Sequence, residues 1–308
     1  MHRIFLPVLI LMLVGCSGSS KPEGAKTFTI GMSQCNLGEP WRVQMNADIE
    51  AAAKKHSNLK MVFKDAQNDT LKQRAHIEEL VSAGVDAIIV SPKESQPLTE
   101  PIAKAYQAKI PVIVLDRAVQ GDQFTCFIGA DNRKIGKAAG EWLRKKLGPK
   151  ATVVELKGLM TSIPGQDRNQ GFRAGIEGSG LNVAFEADMK WLEPDARKEM
   201  ESALARLSKI DAVYAHNDPG AHGAWLAAKA ANREREMLFV GIDALPHEGI
   251  AYVKQGILNA TFQYPTGGAE AIETVLKVLS GQQVPRTIVL GSRVYTAENV
   301  EQGGEALP

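Results

Sequence analysis

The sequence predicts an α/β protein with two doubly wound, parallel-sheet lobes. Short apolar runs alternate with segments of helical spacing from residue 28 onward, a pattern typical of parallel strands joined by right-handed crossovers. Ten such runs precede residue 264, and a strongly twisted sheet rarely grows to ten strands. The length of 308 residues is ample for two domains of ordinary size. Two sheets are therefore predicted rather than one.

The first set of elements occupies residues 28–130. The predicted strands are Phe28–Ser33, Lys60–Lys64, Val85–Ser91, Val112–Leu115 and Cys126–Ala130, and the predicted helices are Val43–His56, Leu71–Ala83 and Pro97–Ala108. The fourth strand consists of four branched aliphatic residues, which is typical of a strand buried on both faces. Asp116 and Arg117 follow it directly, so we expect both at the carboxyl edge of the sheet, where open α/β sheets bind ligands.

The second set begins after the helix Lys134–Leu147. Its predicted strands are Thr152–Leu156, Val183–Glu186, Ala212–Ala215, Leu238–Ile242 and Ala260–Gln263, and its helices are Asp167–Glu177, Asp195–Leu207, Gly220–Ala231 and Pro246–Lys254. One more helix, Gly267–Leu279, and the segment Thr287–Val294 follow. Because this helix has no partner strand in the second set, we expect it to return to the first lobe, so that several chain crossings form a hinge around a cleft. The predicted lobes are 27–131 with 264–289, and 132–263 with 290–308.

The first 26 residues predict export and anchoring. Residues 1–15 have a short basic start and an apolar run too short to span a bilayer, as in a secretory signal. Leu13-Val14-Gly15-Cys16 resembles the bacterial lipobox, which implies a lipid on Cys16; the alternative is a plain signal followed by an incidental cysteine. Residues 16–26 are small and polar, which indicates a flexible tether. We expect a protein in the periplasm or at the cell surface, held to the membrane by lipid at Cys16.

Composition excludes several classes of function. Thirty-six basic and 35 acidic residues give a formal charge of +1, so nothing points to nucleic acid. The sequence has no Gly-rich phosphate loop, G-x-S-x-G elbow or cysteine pair at zinc spacing, so we expect no cofactor and no enzyme activity. His216, Asp218 and His222 make a weak metal set because nothing fixes their geometry, and no metal site is predicted. Cys35 and Cys126 fall at opposite ends of their strands, which predicts two unpaired buried thiols.

Polar residues collect where the predicted strands end. They are Gln34, Asp65, Gln67, Asp116, Arg117, Asp131, Asn132, Asn217, Asp218, Asp243 and Gln263. We expect the carboxyl ends of both sheets to bring many of these side chains to one cleft. The alternative is that they cap helices, since Asp and Asn are preferred there. Capping could account for Asp131, Asp218 and Asp65 but not for Arg117 or Gln263.

Two tryptophans indicate the class of ligand, because sugar rings pack their C–H faces on aromatic rings. Trp41 is predicted in a loop after the first strand, beside Arg42, and Trp191 in a loop before a helix. Both are assigned to the cleft. Trp142 and Trp225 occur at helical spacing among Ala and Leu, which favours a packing role.

Arg168 is predicted at the start of a helix, where the macrodipole disfavours a cation. It either pairs with Asp167 on the surface or points into the cleft. We favour the cleft, where its guanidinium could donate to sugar oxygens and to Asp116.

Six motifs occur along the chain: Gly31-Met32-Ser33-Gln34, Gly84-Val85-Asp86-Ala87-Ile88, Leu115-Asp116-Arg117, Ala130-Asp131-Asn132, Tyr214-Ala215-His216-Asn217-Asp218 and Gly241-Ile242-Asp243. Together they resemble those of the ribose-type periplasmic binding proteins (periplasmic binding protein type 1) that feed ABC importers. Trp41-Arg42, Val154-Glu155-Leu156 with Gly158, and Asp167-Arg168 with Gly171-Phe172 are most similar to the galactofuranose-binding branch. The resemblance implies two lobes joined by three hinge segments that close on a monosaccharide.

The resemblance also implies a ligand set. The matching positions are Gln34, Trp41, Arg42, Asp116, Arg117, Arg168, Asn217 and Asp243. Trp191 falls where relatives often have a phenylalanine that packs on the sugar. Gln263 falls where the galactofuranose branch tends to have glutamate and ribose binders have glutamine. The resemblance therefore does not decide between galactofuranose and ribose as the ligand.

These observations predict a monomeric lipoprotein that captures a monosaccharide, a furanose such as galactofuranose or ribose, and hands it to an ABC permease and its ATPase. A sensory receptor that signals to a membrane kinase or chemoreceptor would use the same cleft and stays an alternative. A sugar-responsive repressor shares this fold, but it needs a helix-turn-helix where this chain has a signal and tether.

Overall fold

The computed structural model describes residues 26–308, which form two α/β sheets with helices on both faces. The predicted fold class is confirmed. The signal peptide, the lipid site at Cys16 and nearly all of the tether lie outside the described residues. Within 26–308, no helix combines the length and apolar character needed to cross a membrane.

The first sheet has six strands in the order β11-β5-β4-β3-β1-β2, all parallel. Its strands are β1 (Phe28–Gln34), β2 (Leu59–Asp65), β3 (Ala87–Ser91), β4 (Val112–Leu115), β5 (Cys126–Ala130) and β11 (Thr287–Leu290). Its helices are α1 (Pro40–Ala53), α2 (Thr70–Ser82), α3 (Ser95–Gln107) and α9 (Gly268–Leu279). Strands β3 and β4 are fully buried because α1 and α9 cover one face while α2 and α3 cover the other.

The second sheet has seven strands in the order β13-β12-β10-β9-β8-β6-β7. They are β6 (Thr152–Lys157), β7 (Asn182–Asp188), β8 (Ala212–Ala215), β9 (Leu238–Asp243), β10 (Ala260–Gln263), β12 (Arg293–Thr296) and β13 (Glu305–Ala306). Helices α4 (Asn132–Lys146) and α5 (Ile163–Ile176) cover one face, and α6 (Glu193–Arg206), α7 (Asp218–Ala230) and α8 (Gly249–Lys254) cover the other. The five strands β6 to β10 are parallel, and β12 is antiparallel to β10.

The segment Thr287–Val294, predicted as one unit, is divided between the sheets. Thr287–Leu290 pairs with β5 in the first sheet, and Arg293–Thr296 pairs with β10 in the second. The sequence pattern does not reveal the division because both halves are apolar and short. The chain therefore passes between the sheets three times: after β5, after β10 and between β11 and β12.

Cys35 and Cys126 are buried and free, which confirms the predicted unpaired thiols. Cys35 directly follows β1 and Cys126 begins β5, so strand geometry holds them apart. Trp142 and Trp225 are partly buried and pack against the two cores of the second sheet.

Helices α4 and α5 pack unusually closely because glycines lie at their contact. A Cβ atom on Gly171 would lie 2.1 Å from the carbonyl oxygen of Arg133, and one on Gly136 would lie 2.4 Å from that of Arg168. Gly140 and Gly175 make the same kind of backbone approach. This spacing positions the backbone of Arg168 against the neighbouring helix.

We expect Gly171→Ala to lower the free energy of unfolding by about 1–3 kcal/mol, since the added methyl forces the two helices apart. Thermal unfolding should show a reduced Tm. Gly148→Ala is the matched control, because a Cβ there meets no heavy atom within 4 Å. Equal Tm values for the two variants would contradict the packing argument.

Candidate functional site

A narrow cavity lies between the carboxyl edges of the two sheets, and the centre of a water molecule can reach only about 20 Å³ of it. Both sheets and the loops that follow their strands line it, through Glu39, Trp41, Arg42, Asp116, Arg117, Pro164, Arg168, Trp191, Asn217, Asp243 and Tyr264. The cavity has room for about one water molecule, so anything larger could enter only if the two lobes moved apart. Eight of the ten residues predicted for the site are in this lining, and Gln34 and Gln263 are not.

Asp116 forms the centre of the first-sheet wall. It directly follows β4 in the left-handed conformation, with φ of +69°, which Asp tolerates better than most residues. Its Oδ2 accepts hydrogen bonds from Arg42 Nη2 at 3.1 Å and from Ser91 Oγ at 3.2 Å. No hydrogen bond from residues 26–308 reaches Oδ1.

Arg42 is held by acceptors from four segments of the first lobe. Besides Asp116, its guanidinium donates to Gln34 Oε1 at 3.1 Å, Ser91 Oγ at 3.0 Å and Glu39 Oε1 at 3.2 Å. These bonds fix the orientation of a buried cation before any ligand arrives. Gln34 is absent from the cavity lining, and its amide oxygen orients Arg42; its predicted contact with ligand stays a prediction.

Arg168 is directed to the cavity, as predicted, and not to Asp167, which pairs with Arg133 at 2.7 Å. Its Nε donates to Asn132 Oδ1 at 2.8 Å and its Nη1 donates to the carbonyl oxygen of His216. Two details differ from the prediction. The residue lies in the second turn of α5, so the macrodipole argument does not apply, and it pairs with Asp243 at 3.7 Å, whereas Asp116 is bound by Arg42.

Trp191 lies between one arginine from each sheet. Its ring centroid is 5.5 Å from the guanidinium carbon of Arg117 and 5.3 Å from that of Arg168, distances typical of cation–π contacts. The ring packs directly on Gly158, where a Cβ would lie 2.2 Å from the indole. Its Nε1 is buried and has no hydrogen-bond partner among the described residues.

The remaining aromatic wall is formed by Trp41 and Tyr264. Trp41 lies in the first turn of α1 and not in the preceding loop, because Pro40 begins the helix one residue earlier than the tryptophan. Its Nε1 donates to the carbonyl oxygen of Tyr264 at 2.8 Å, and the Tyr264 hydroxyl donates to that of Asp116 at 3.1 Å. Burial raises the pKa of Tyr264, so this hydroxyl keeps its proton.

Tyr264 takes the place that was predicted for Gln263. Successive residues at a strand end point to opposite sides, so only one of the two reaches the cavity. Gln263 is half-buried beside Asp131 and Lys134, near the crossing between β11 and β12. Gln263 therefore does not line the cavity, and its predicted contact with ligand stays a prediction. The sequence analysis did not assign Tyr264 to the site, although an aromatic residue directly after a strand is a signal for it. Glu39 and Pro164 also line the cavity and were not predicted.

Asn217 and Asp243 complete the second-sheet wall. Asn217, and not the predicted Asp218, caps α7, since its Oδ1 accepts from Gly220 N at 3.0 Å while its Nδ2 donates to Trp191 O at 2.9 Å. Asp218 is fully buried and accepts a hydrogen bond from Thr261 Oγ1 at 2.6 Å. Burial raises the pKa of Asp243 well above its ordinary value, and the nearby Arg168 opposes this rise.

No cluster of His, Cys, Asp and Glu within residues 26–308 has an arrangement that would hold a metal ion. The two histidines of the weak metal set are bonded elsewhere: His216 Nε2 lies 3.0 Å from Glu155, and His222 Nδ1 lies 2.8 Å from Glu193.

Comparisons with known proteins agree with this architecture. The family model described as "Periplasmic binding protein domain" matches residues 30–283. The ribose import binding protein of Bacillus subtilis is 31% identical over 294 residues, covering 92% of this chain and 95% of that protein. The galactofuranose-binding protein of Escherichia coli is 28% identical and covers 96% of both chains.

A solved structure shares both the fold and much of the sequence. The fructose-binding periplasmic domain of a hybrid two-component system superposes with a TM-score of 0.87 and 39% identity, covering 90% of this chain and 93% of that one. The family match spans most of the chain, and the two-sheet architecture with a cavity between carboxyl edges is what the sequence resemblance implied. The chain belongs to the periplasmic binding protein domain family, and within it to the ribose-type group.

Proposed function

We propose that this protein captures a monosaccharide, a furanose, in the cavity between its sheets and delivers it to the permease of an ABC importer. The observation that carries the proposal is the cavity lining, in which three guanidinium groups, three carboxyl groups and two tryptophan rings converge from both sheets. Arginine donates in a fixed fork and carboxylates accept, so a polyhydroxylated ligand finds both kinds of partner.

The ligand's apolar faces have partners as well. Trp41 and Trp191 come from different lobes and both line the cavity, so each can present its ring to an apolar face of a sugar. No bond is broken in this proposal. The relatives reported above are named as binding proteins, in agreement with a role in capture and not in catalysis.

Capture requires that the cavity open. The three passages between the sheets form the hinge: after β5, after β10, and between β11 and β12. The third passage begins after Leu290, which still pairs with Ala130 in the first sheet. Contacts that bridge the mouth favour the closed form. Thr161, which follows β6, donates to Glu94 Oε1 at 2.9 Å, and Glu94, which follows β3, also accepts from Thr70 at 2.6 Å. Trp191 packs against Arg117 across the same boundary.

The chain is exported as a monomer and is held to the membrane by lipid at Cys16, through the tether that ends near residue 26. A single acyl chain binds only reversibly, so stable anchoring uses more than one. The anchor keeps the closed protein near its permease.

The test is isothermal titration calorimetry of the chain lacking residues 1–21. Galactofuranose, ribose, fructose, arabinose, galactose and myo-inositol form the panel. One sugar is expected to bind in a 1:1 complex with micromolar or tighter affinity, about 8 kcal/mol or more. Binding of none of these, or conversion of a bound sugar detected by NMR, would overturn the proposal.

A sensory receptor is the second candidate, favoured by the 39% identity with the periplasmic domain of a hybrid two-component system. Both roles use the same closed form, so sugar binding does not separate them. Stimulation of a reconstituted permease and ATPase by the sugar-loaded protein is expected for transport. Sugar-dependent activation of a membrane kinase without such stimulation would favour sensing.

A further inference from the structure

A buried pair of titratable groups lies behind Trp191, outside the lining of the cavity. Glu155, in β6, and His216, directly after β8, are both fully buried. Neither lines the cavity. His216 Nε2 lies 3.0 Å from Glu155 Oε1, and His216 Nδ1 accepts a hydrogen bond from the amide of Gly158 at 3.1 Å. Because Nδ1 accepts, Nε2 carries the hydrogen that is donated to Glu155.

The bond to Gly158 connects this pair to the aromatic wall. Gly158 is the residue on which the Trp191 ring packs, with no room for a Cβ between them. Any movement of the Gly158 amide therefore displaces the indole. The same indole contacts the guanidinium groups of Arg117 and Arg168.

The pair is also connected to Arg168 through two other routes. The main-chain carbonyl of His216 accepts from Arg168 Nη1. Glu155 accepts from Asn169 Nδ2 at 2.9 Å and from Arg173 Nη2 at 2.7 Å, and both donors are on α5, which carries Arg168. Burial lowers the pKa of His216, so the neutral form that this network needs is the stable one.

We infer that Glu155 and His216 are positioning residues that hold Gly158, Trp191 and Arg168 in the geometry that the ligand meets. This inference rests on the proposed function, since its consequence is sugar affinity. The geometry of the site would then depend on two residues that do not line the cavity.

Two variants of His216 separate its two hydrogen bonds. The oxygen of Asn takes the place of Nδ1, so His216→Asn keeps the acceptor for Gly158. The nitrogen of Gln takes the place of Nε2, so His216→Gln keeps the donor to Glu155 and loses that acceptor. The unpaired Gly158 amide is expected to shift together with the Trp191 indole, so sugar binding should weaken about five- to hundredfold in His216→Gln. His216→Asn keeps the Gly158 bond and loses only the bond to Glu155, so its loss of affinity should be smaller than that of His216→Gln.

Fluorescence gives a second readout that needs no ligand. The Trp191 contribution is the difference between each protein and the same protein with Trp191→Phe. His216→Gln is expected to shift this emission and make it more accessible to acrylamide, while His216→Asn leaves it unchanged. The matched control is His76→Asn, which replaces a buried histidine of α2 outside the cavity and should change neither readout.

The outcomes are distinct. Wild-type affinity together with wild-type Trp191 emission in His216→Gln would overturn the inference, as would equal losses in all three variants. If wild type binds no sugar, the proposed function fails, and the emission data still decide the positioning role. If the His216 variants do not fold, ¹⁵N NMR of wild type decides, since a proton on His216 Nδ1 is incompatible with the Gly158 bond.

Discussion

Asp116→Asn is expected to reduce sugar affinity by about two to three orders of magnitude, or about 3–4 kcal/mol. The substitution preserves size, and Asn tolerates the φ of +69° at this position. It removes the negative charge that Arg42 Nη2 and Ser91 Oγ contact and places an amide nitrogen either against Arg42 or at the ligand-facing position of Oδ1. A buried cation loses its partner in the first case, and the ligand loses an acceptor in the second.

Calorimetry with the sugar of the panel that binds wild type measures this effect, and circular dichroism verifies the fold. The control is Asp131→Asn, the same chemical change at an exposed carboxylate that caps α4. Since Asn caps helices as well as Asp does, that variant should bind normally. Unchanged affinity in a folded Asp116→Asn protein would remove Asp116 from the binding site.

Arg168→Met is expected to cause a similar loss of affinity, more than about a hundredfold, together with a lower Tm. The methionine fills much of the volume but leaves the acceptors Asn132 Oδ1 and His216 O without their buried donor, at a cost of about 1–3 kcal/mol each. Asp243 loses the cation that opposes the rise of its pKa, so a larger fraction of this carboxyl is protonated at neutral pH.

Arg168→Lys tests whether charge or geometry matters. A lysine keeps the cation but cannot donate to two acceptors in a fixed fork, so we expect it to recover only part of the affinity. Arg133→Met is the control, since that arginine is 63% exposed and its pair with Asp167 contributes little. Full affinity in Arg168→Met would show that the guanidinium only supports the fold.

The sequence determined the fold class because apolar periodicity reports local structure. Strands such as Val112–Leu115 and Cys126–Ala130 have the predicted bounds, because a short apolar run between two turns marks the two ends of a buried parallel strand. The same pattern placed Asp116 and Arg117 at the carboxyl edge, where they line the cavity. The division between the sheets after Leu290 was not evident, because both segments have the same local pattern.

The assignment of individual side chains depended on contacts between distant parts of the chain. Arg42 reaches Asp116 across 74 residues, and Trp41 reaches the carbonyl of Tyr264 across 223. Local sequence patterns carry no information about contacts between residues so far apart in the chain. For that reason the sequence by itself determined the two doubly wound sheets and the edge where a ligand binds. Only the tertiary structure decided that Tyr264 replaces Gln263 in the wall and that Gln34 lies behind it, since which way a side chain points at a strand end depends on what packs against it.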